Sequence, residues 1–165
     1  MLYLVFIYYI GDVMRYNRKE AILYAQKWAL KRNPQYYNYD LIGGDCTNFI
    51  SQCLYAGLPH MNYQGYGWYY ADANHKSASW TGVEFLYNFL INNTGAGPHG
   101  SVIQKNELEL GDLIQLSFMQ GIYSHTLIVT KLENPNIFVC THSYDALNRP
   151  FDSYSYENVR YIKIS

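Results

Sequence analysis

The chain reads as an α+β domain, with helices first and an antiparallel sheet second, because its apolar period changes near the middle. Up to about residue 92 apolar side chains recur every three or four positions. Beyond Gly111 they gather in short blocks rich in Val, Ile, Leu and Phe, separated by glycine, asparagine and proline.

The elements follow in order. Leu2 to Ile10 is an apolar run, far shorter than the roughly 20 residues that span a bilayer. It lacks the basic flank and small-residue cleavage site of a signal peptide, so it reads as a strand or a remnant of a longer precursor. Residues 1–15 are therefore set apart from a domain at 16–165. Asn17 and Glu20 resemble a capping box opening a helix that runs to about Arg32, where Asn33-Pro34 stops it. Ala21, Tyr24, Ala25, Trp28 and Ala29 make its packing face. A second helix begins near Asp45, with Cys46, Phe49, Ile50, Cys53 and Leu54 on one side and Gly57 and Pro59 as its stop. Residues 59–80 read as irregular and aromatic, and a third helix spans about Val83 to Ile91. A hairpin then pairs Leu113–Phe118 with Ser124–Leu132 across a turn at Gly121. Strands at Ile137–His142 and Val159–Ile164 complete the sheet.

Composition narrows the function. A chain of 165 residues makes one domain with a substantial core. A net charge of -1 argues against nucleic acid as the main partner. Nineteen tyrosines exceed what a core can satisfy, so many should line a surface or groove suited to sugars, extended peptides or protein. Three cysteines cannot all pair, and their spacing is that of neither a zinc ribbon nor a redox motif. Cys53 and Cys140 fall at core positions, which leaves Cys46. No histidine spacing suits a metal, and no glycine motif cradles phosphate, so no metal and no cofactor is implied.

Gly43-Gly44-Asp45-Cys46 is the most informative segment. Asp45 stands at the N-cap position, and Cys46 falls in the first turn, where unpaired N–H groups and the helix dipole favour a thiolate. Asp45 itself opposes that thiolate, so a histidine is needed. The plain alternative is a buried structural cysteine. His125 shares a strand face with Leu127 and Val129 by parity and is either the base or a satisfied core histidine. His142 ends the next strand, and Asp145 follows three residues later. Either orients His125, or Asp145 merely caps a turn.

These residues resemble the NlpC-type papain-like cysteine hydrolases, and more closely the putative amidase domain family of that superfamily. The matching features are Tyr16-Asn17-Arg18, Gly43 through Gln52, Trp68-Tyr69-Tyr70, Ser79-Trp80, Gly111 through Gln115, His125 and Thr141 through Asp145. The resemblance implies a papain-like fold with Cys46 as nucleophile, His125 as general base, and His142 or Asp145 as the third polar residue. It implies a peptide or amide substrate, a cell-wall stem peptide among the candidates, and a bacterial extracellular or wall-associated setting. Asp45 is then a candidate for meeting a substrate ammonium, while Trp68, Tyr69, Tyr70 and Trp80 shape a groove wall or pack in the core. An acyltransferase using the same thiol, or a silent aromatic module that binds glycan or peptide, are the competing functions.

Overall fold

The computed structural model describes residues 15–165, so the apolar run at Leu2–Ile10 lies outside the described residues. The helices are α1 (Arg18–Trp28), α2 (Cys46–Gly57), α3 (Ala78–Thr81) and α4 (Val83–Asn92). The strands are β1 (Gly100–Ile103), β2 (Leu113–Met119), β3 (Ile122–Glu133), β4 (Asn136–Thr141), β5 (Ala146–Pro150) and β6 (Asn158–Ile164). All six join one antiparallel sheet in the order β1-β6-β2-β3-β4-β5. The α+β architecture is as the change of period predicts. Among the described residues no helix is long and apolar enough to cross a membrane.

Alternation along the strands sorts the core into two layers. Leu113, Ile128, Cys140 and Ile162 face the helices and pack with Phe49, Ile50, Cys53, Leu54, Leu86 and Leu90. Their neighbours Ile114, Leu127, Val129 and Val139 face the other way and close on Phe151 and Leu108. Each large apolar side chain buried in this way contributes roughly 1.5–3 kcal/mol. Alanines at 21, 25 and 29 let the α1 segment lie close against this core.

One pair of motifs pins the layers together. Asn17 caps α1 by accepting from the Glu20 N–H, and the helix ends at Trp28, one turn earlier than the Asn-Pro stop suggests. Just before it, the Tyr16 hydroxyl donates to the Gly111 carbonyl at 2.9 Å, and Arg18 Nη1 meets Asp112 Oδ1 at 2.7 Å. Asp112 is fully buried and also accepts from the backbone of Glu109 and Ile164. The Tyr-Asn-Arg and Gly-Asp segments are thus two halves of one clamp between α1 and the sheet.

The polar residues of α2 are buried and individually satisfied, as buried polar groups must be. Trp80 Nε1 donates to Asn48 Oδ1 and Trp68 Nε1 to Ser51 Oγ, each at 3.0 Å. Tyr24 donates to Gln52 Oε1 at 2.8 Å. The region 59–80, expected to be irregular, holds α3 and threads its two tryptophans into the core as supports for α2.

Candidate active site

The loop before α2 turns on Gly43 and Gly44, with φ of 85° and 100°, a region that glycine enters without strain. A Cβ on Gly44 would also lie 3.1 Å from Ser143 Oγ. This turn delivers Asp45 to the N-cap position, yet its side chain makes no cap hydrogen bond. Oδ1 accepts instead from the Tyr39 N–H at 2.9 Å and from Asn48 Nδ2 at 2.8 Å. Oδ2 meets His142 Nδ1 at 2.6 Å and lies 3.5 Å from Arg32 Nε. Asp45 is only 1% exposed, so the expected contact with a substrate ammonium is not available to it. A tertiary partner has taken the carboxylate that local sequence assigns to the helix end.

His142 is committed in the same way. Its Nε2 lies 2.8 Å from the Trp28 carbonyl, and its ring stacks on Phe49 with centroids 3.9 Å apart. Both ring nitrogens thus face acceptors of the protein, one a carboxylate and one a carbonyl. Asp145 is gripped by Arg32 through two bonds of 2.9 and 2.8 Å. Burial works to raise its carboxyl, but Arg32 outweighs that and holds it below the usual range. Neither His142 nor Asp145 bonds to His125, so the structure brings neither into the orienting contact that the sequence suggests. Both belong to a brace around the glycine turn, completed by Ser143 Oγ, which accepts from the Asp45 N–H at 2.6 Å.

Cys46 and His125 come together at a cavity of about 700 Å³, which Gly43, Gly44, Ser143, Phe118, Tyr154 and Arg149 also line. Each is 6% exposed. The Cys46 sulfur meets the backbone of Thr126, the residue after His125. Burial pushes the thiol up from its ordinary value and Asp45 adds to the rise, while hydrogen bonds from Thr126 and Thr47 offset part of it. Burial, then the charge of Arg149, push the His125 imidazole down to about 4. At neutral pH the pair therefore rests as thiol and neutral imidazole. The His125 ring, flanked by Phe118 and Tyr154, makes no hydrogen bond among the described residues. It is free to take a proton.

The aromatic residues expected in the groove lie elsewhere. Trp68 and Trp80 are fully buried and pack against one another in a tilted pair with ring centroids 4.8 Å apart. Tyr69 stacks on Tyr63 and lines no part of this cavity, and the Tyr70 hydroxyl accepts from the Tyr37 N–H at 2.9 Å. The rings at the cavity are Phe118, Tyr144 and Tyr154. Arg32, Ser143 and Arg149 escape sequence reasoning because each is a single polar residue outside any periodic pattern. The one signal was the adjacency of Ser143 to His142.

Fold and site together define an α+β domain that presents a buried cysteine and histidine to one cavity. The chain belongs to the family described as "putative amidase domain", whose model matches residues 15–164. At the level of the family that description points to amide hydrolysis. The chain is also 36% identical over 154 residues to the uncharacterized protein YhbB of Bacillus subtilis (strain 168), covering 90% of this chain and 47% of that protein. It is 32% identical over 148 residues to the uncharacterized protein YjcM of the same organism, covering 84% of this chain and 34% of that protein. It thus spans about half or less of these relatives' length. No solved structure matches it.

Proposed function

We propose that this domain is a cysteine-dependent amide hydrolase, arranged like the NlpC-type papain-like enzymes, with Cys46 as nucleophile and His125 as general base. The observation that carries the reading is their convergence on one cavity, with the Cys46 sulfur against the backbone next to His125. An unoccupied imidazole beside a buried thiol suits proton transfer during attack better than a standing ion pair.

In this mechanism the Cys46 sulfur attacks the substrate carbonyl while His125 takes the thiol proton. N–H groups at the start of α2 stabilise the oxyanion. The imidazolium then protonates the leaving amine, and a thioester remains on Cys46. Water, deprotonated by His125, releases a carboxylic acid and restores the thiol. A peptide substrate fits the open cavity, and a cell-wall stem peptide is the first to try.

The test is amine release from a panel of wall-type peptides by the native domain, Cys46→Ala and His125→Ala. Turnover should vanish in the first variant and fall by about 10²–10⁴ in the second. A thioester trapped on Cys46 by acid quench, read by mass spectrometry, would complete the case. Turnover surviving in Cys46→Ala would sink it.

A further inference from the structure

Three of the arginines hold carboxylates: Arg18 faces Asp112, Arg32 faces Asp40 and Asp145, and Arg160 faces Glu84. Arg149 has no carboxylate partner among the described residues, yet it lines the cavity with Cys46 and His125. Its guanidinium is set in place. Nε donates to Ser153 Oγ at 2.7 Å, Nη2 donates to the Ser153 carbonyl at 3.1 Å, and the group lies 4.2 Å from the centroid of the Tyr154 ring. Nη1 makes no hydrogen bond among the described residues. The acid that lines the same cavity, Asp40, is drawn to Arg32 at 2.7 Å, a guanidinium it shares with Asp145. Arg149 is therefore the cation of the cavity lining that no carboxylate of the described residues engages.

We propose that Arg149 determines specificity by binding a carboxylate that the substrate carries near the amide attacked by Cys46, so that the domain acts on acidic peptides or amides. This rests on the hydrolase reading and names its substrate class. A planar fork held by a second side chain suits a carboxylate and loses little freedom on pairing. A single arginine matches a monoanion, whereas a phosphate dianion would leave charge uncompensated.

The arrangement also links recognition to chemistry. Arg149 is the charge that opposes protonation of His125 in the free site. A bound carboxylate cancels that charge and makes the imidazolium of the transition state easier to form. The other titratable groups lining the cavity are Cys46, Asp40, Tyr144 and Tyr154, and Asp40 is already paired.

Two alkylating agents of nearly equal size test this without a known substrate: iodoacetate carries the carboxylate, and iodoacetamide does not. Their rates at Cys46 would be measured at pH 9 by peptide mapping, in native protein, Arg149→Gln and Arg149→Lys. At that pH the thiol reacts whether or not it is a catalytic nucleophile, so the ratio is separate from the turnover test. The native iodoacetate-to-iodoacetamide ratio should exceed that of N-acetylcysteine amide. It should fall about tenfold in Arg149→Gln and be largely kept in Arg149→Lys. A native ratio equal to the free thiol's, or one unmoved in Arg149→Gln, would overturn the assignment.

Discussion

His142 Nδ1 lies 2.6 Å from Asp45 Oδ2, and both residues are 1% exposed, so the loop that presents Cys46 is locked to the end of β4 by a buried hydrogen bond. Ser143 adds a second tie one residue on, accepting from the Asp45 N–H. The Thr-His-Ser-Tyr-Asp and Gly-Gly-Asp-Cys segments are two sides of this lock, about 100 residues apart in the chain. Its effect is to fix where the backbone that carries Cys46 sits, a placement that the proposed attack by its sulfur would need.

Breaking one side of the pair should therefore be costly. Asp45→Asn or His142→Gln leaves an unmatched polar group in the interior, and each should lose ~1–3 kcal/mol in urea unfolding. The double variant should lose less than the sum of the two, as expected for contacting residues. Additive losses would mean that the two side chains act independently.

Asp145 is predicted to matter far less. Its pair with Arg32 is one-third exposed on the acid's side, so screening by water limits its value to about 1 kcal/mol or below. Asp145→Asn should leave the pH profile of Cys46 alkylation unchanged, while His125→Gln alters it. A matching change in both variants would return Asp145 to the role of orienting residue.

The tryptophans should behave as core supports. Trp80→Phe deletes the donor to Asn48 and leaves a buried acceptor unmet, at a cost of about 1–3 kcal/mol. Trp68→Phe should do the same at Ser51. Peptide turnover at a temperature where both variants are folded should keep its native KM. A KM raised severalfold with stability intact would restore these rings to the groove wall.

Periodicity placed α2, α4, β2, β3 and β6 to within a residue or two, because each has a continuous apolar face. The strands β1 and β5 have none: both lie at the sheet edges, and β5 is Ala-Leu-Asn-Arg-Pro. The alternation argument for His142 could not place it, since the pairing of β4 shifts register against both neighbours. Local sequence points Asp45 to a helix cap because a sequence displays near neighbours and conceals a histidine 97 residues away. Cys46 and His125 were legible for the opposite reason. Each is a reactive residue type placed against an otherwise apolar pattern.

The resting charge state of the pair gives the last prediction. The unfolded imidazole titrates near 6.5, and in the folded protein burial and Arg149 bring it down to about 4. Between those values the unfolded chain binds the extra proton, so stability rises with pH across that window. The contribution is fully present above about 6.5 and is lost as pH falls through about 4, on the order of 3 kcal/mol in all. His125→Gln should lose less stability than the native protein between pH 7 and pH 4, read as urea midpoints. The raised Cys46 thiol acts on labelling in the opposite range. Alkylation by iodoacetamide should be slow at pH 7 and climb only above the ordinary thiol range near 8.5. Fast labelling at pH 6 would mean that a thiolate–imidazolium pair already stands in the free site, and that the proton moves before substrate arrives.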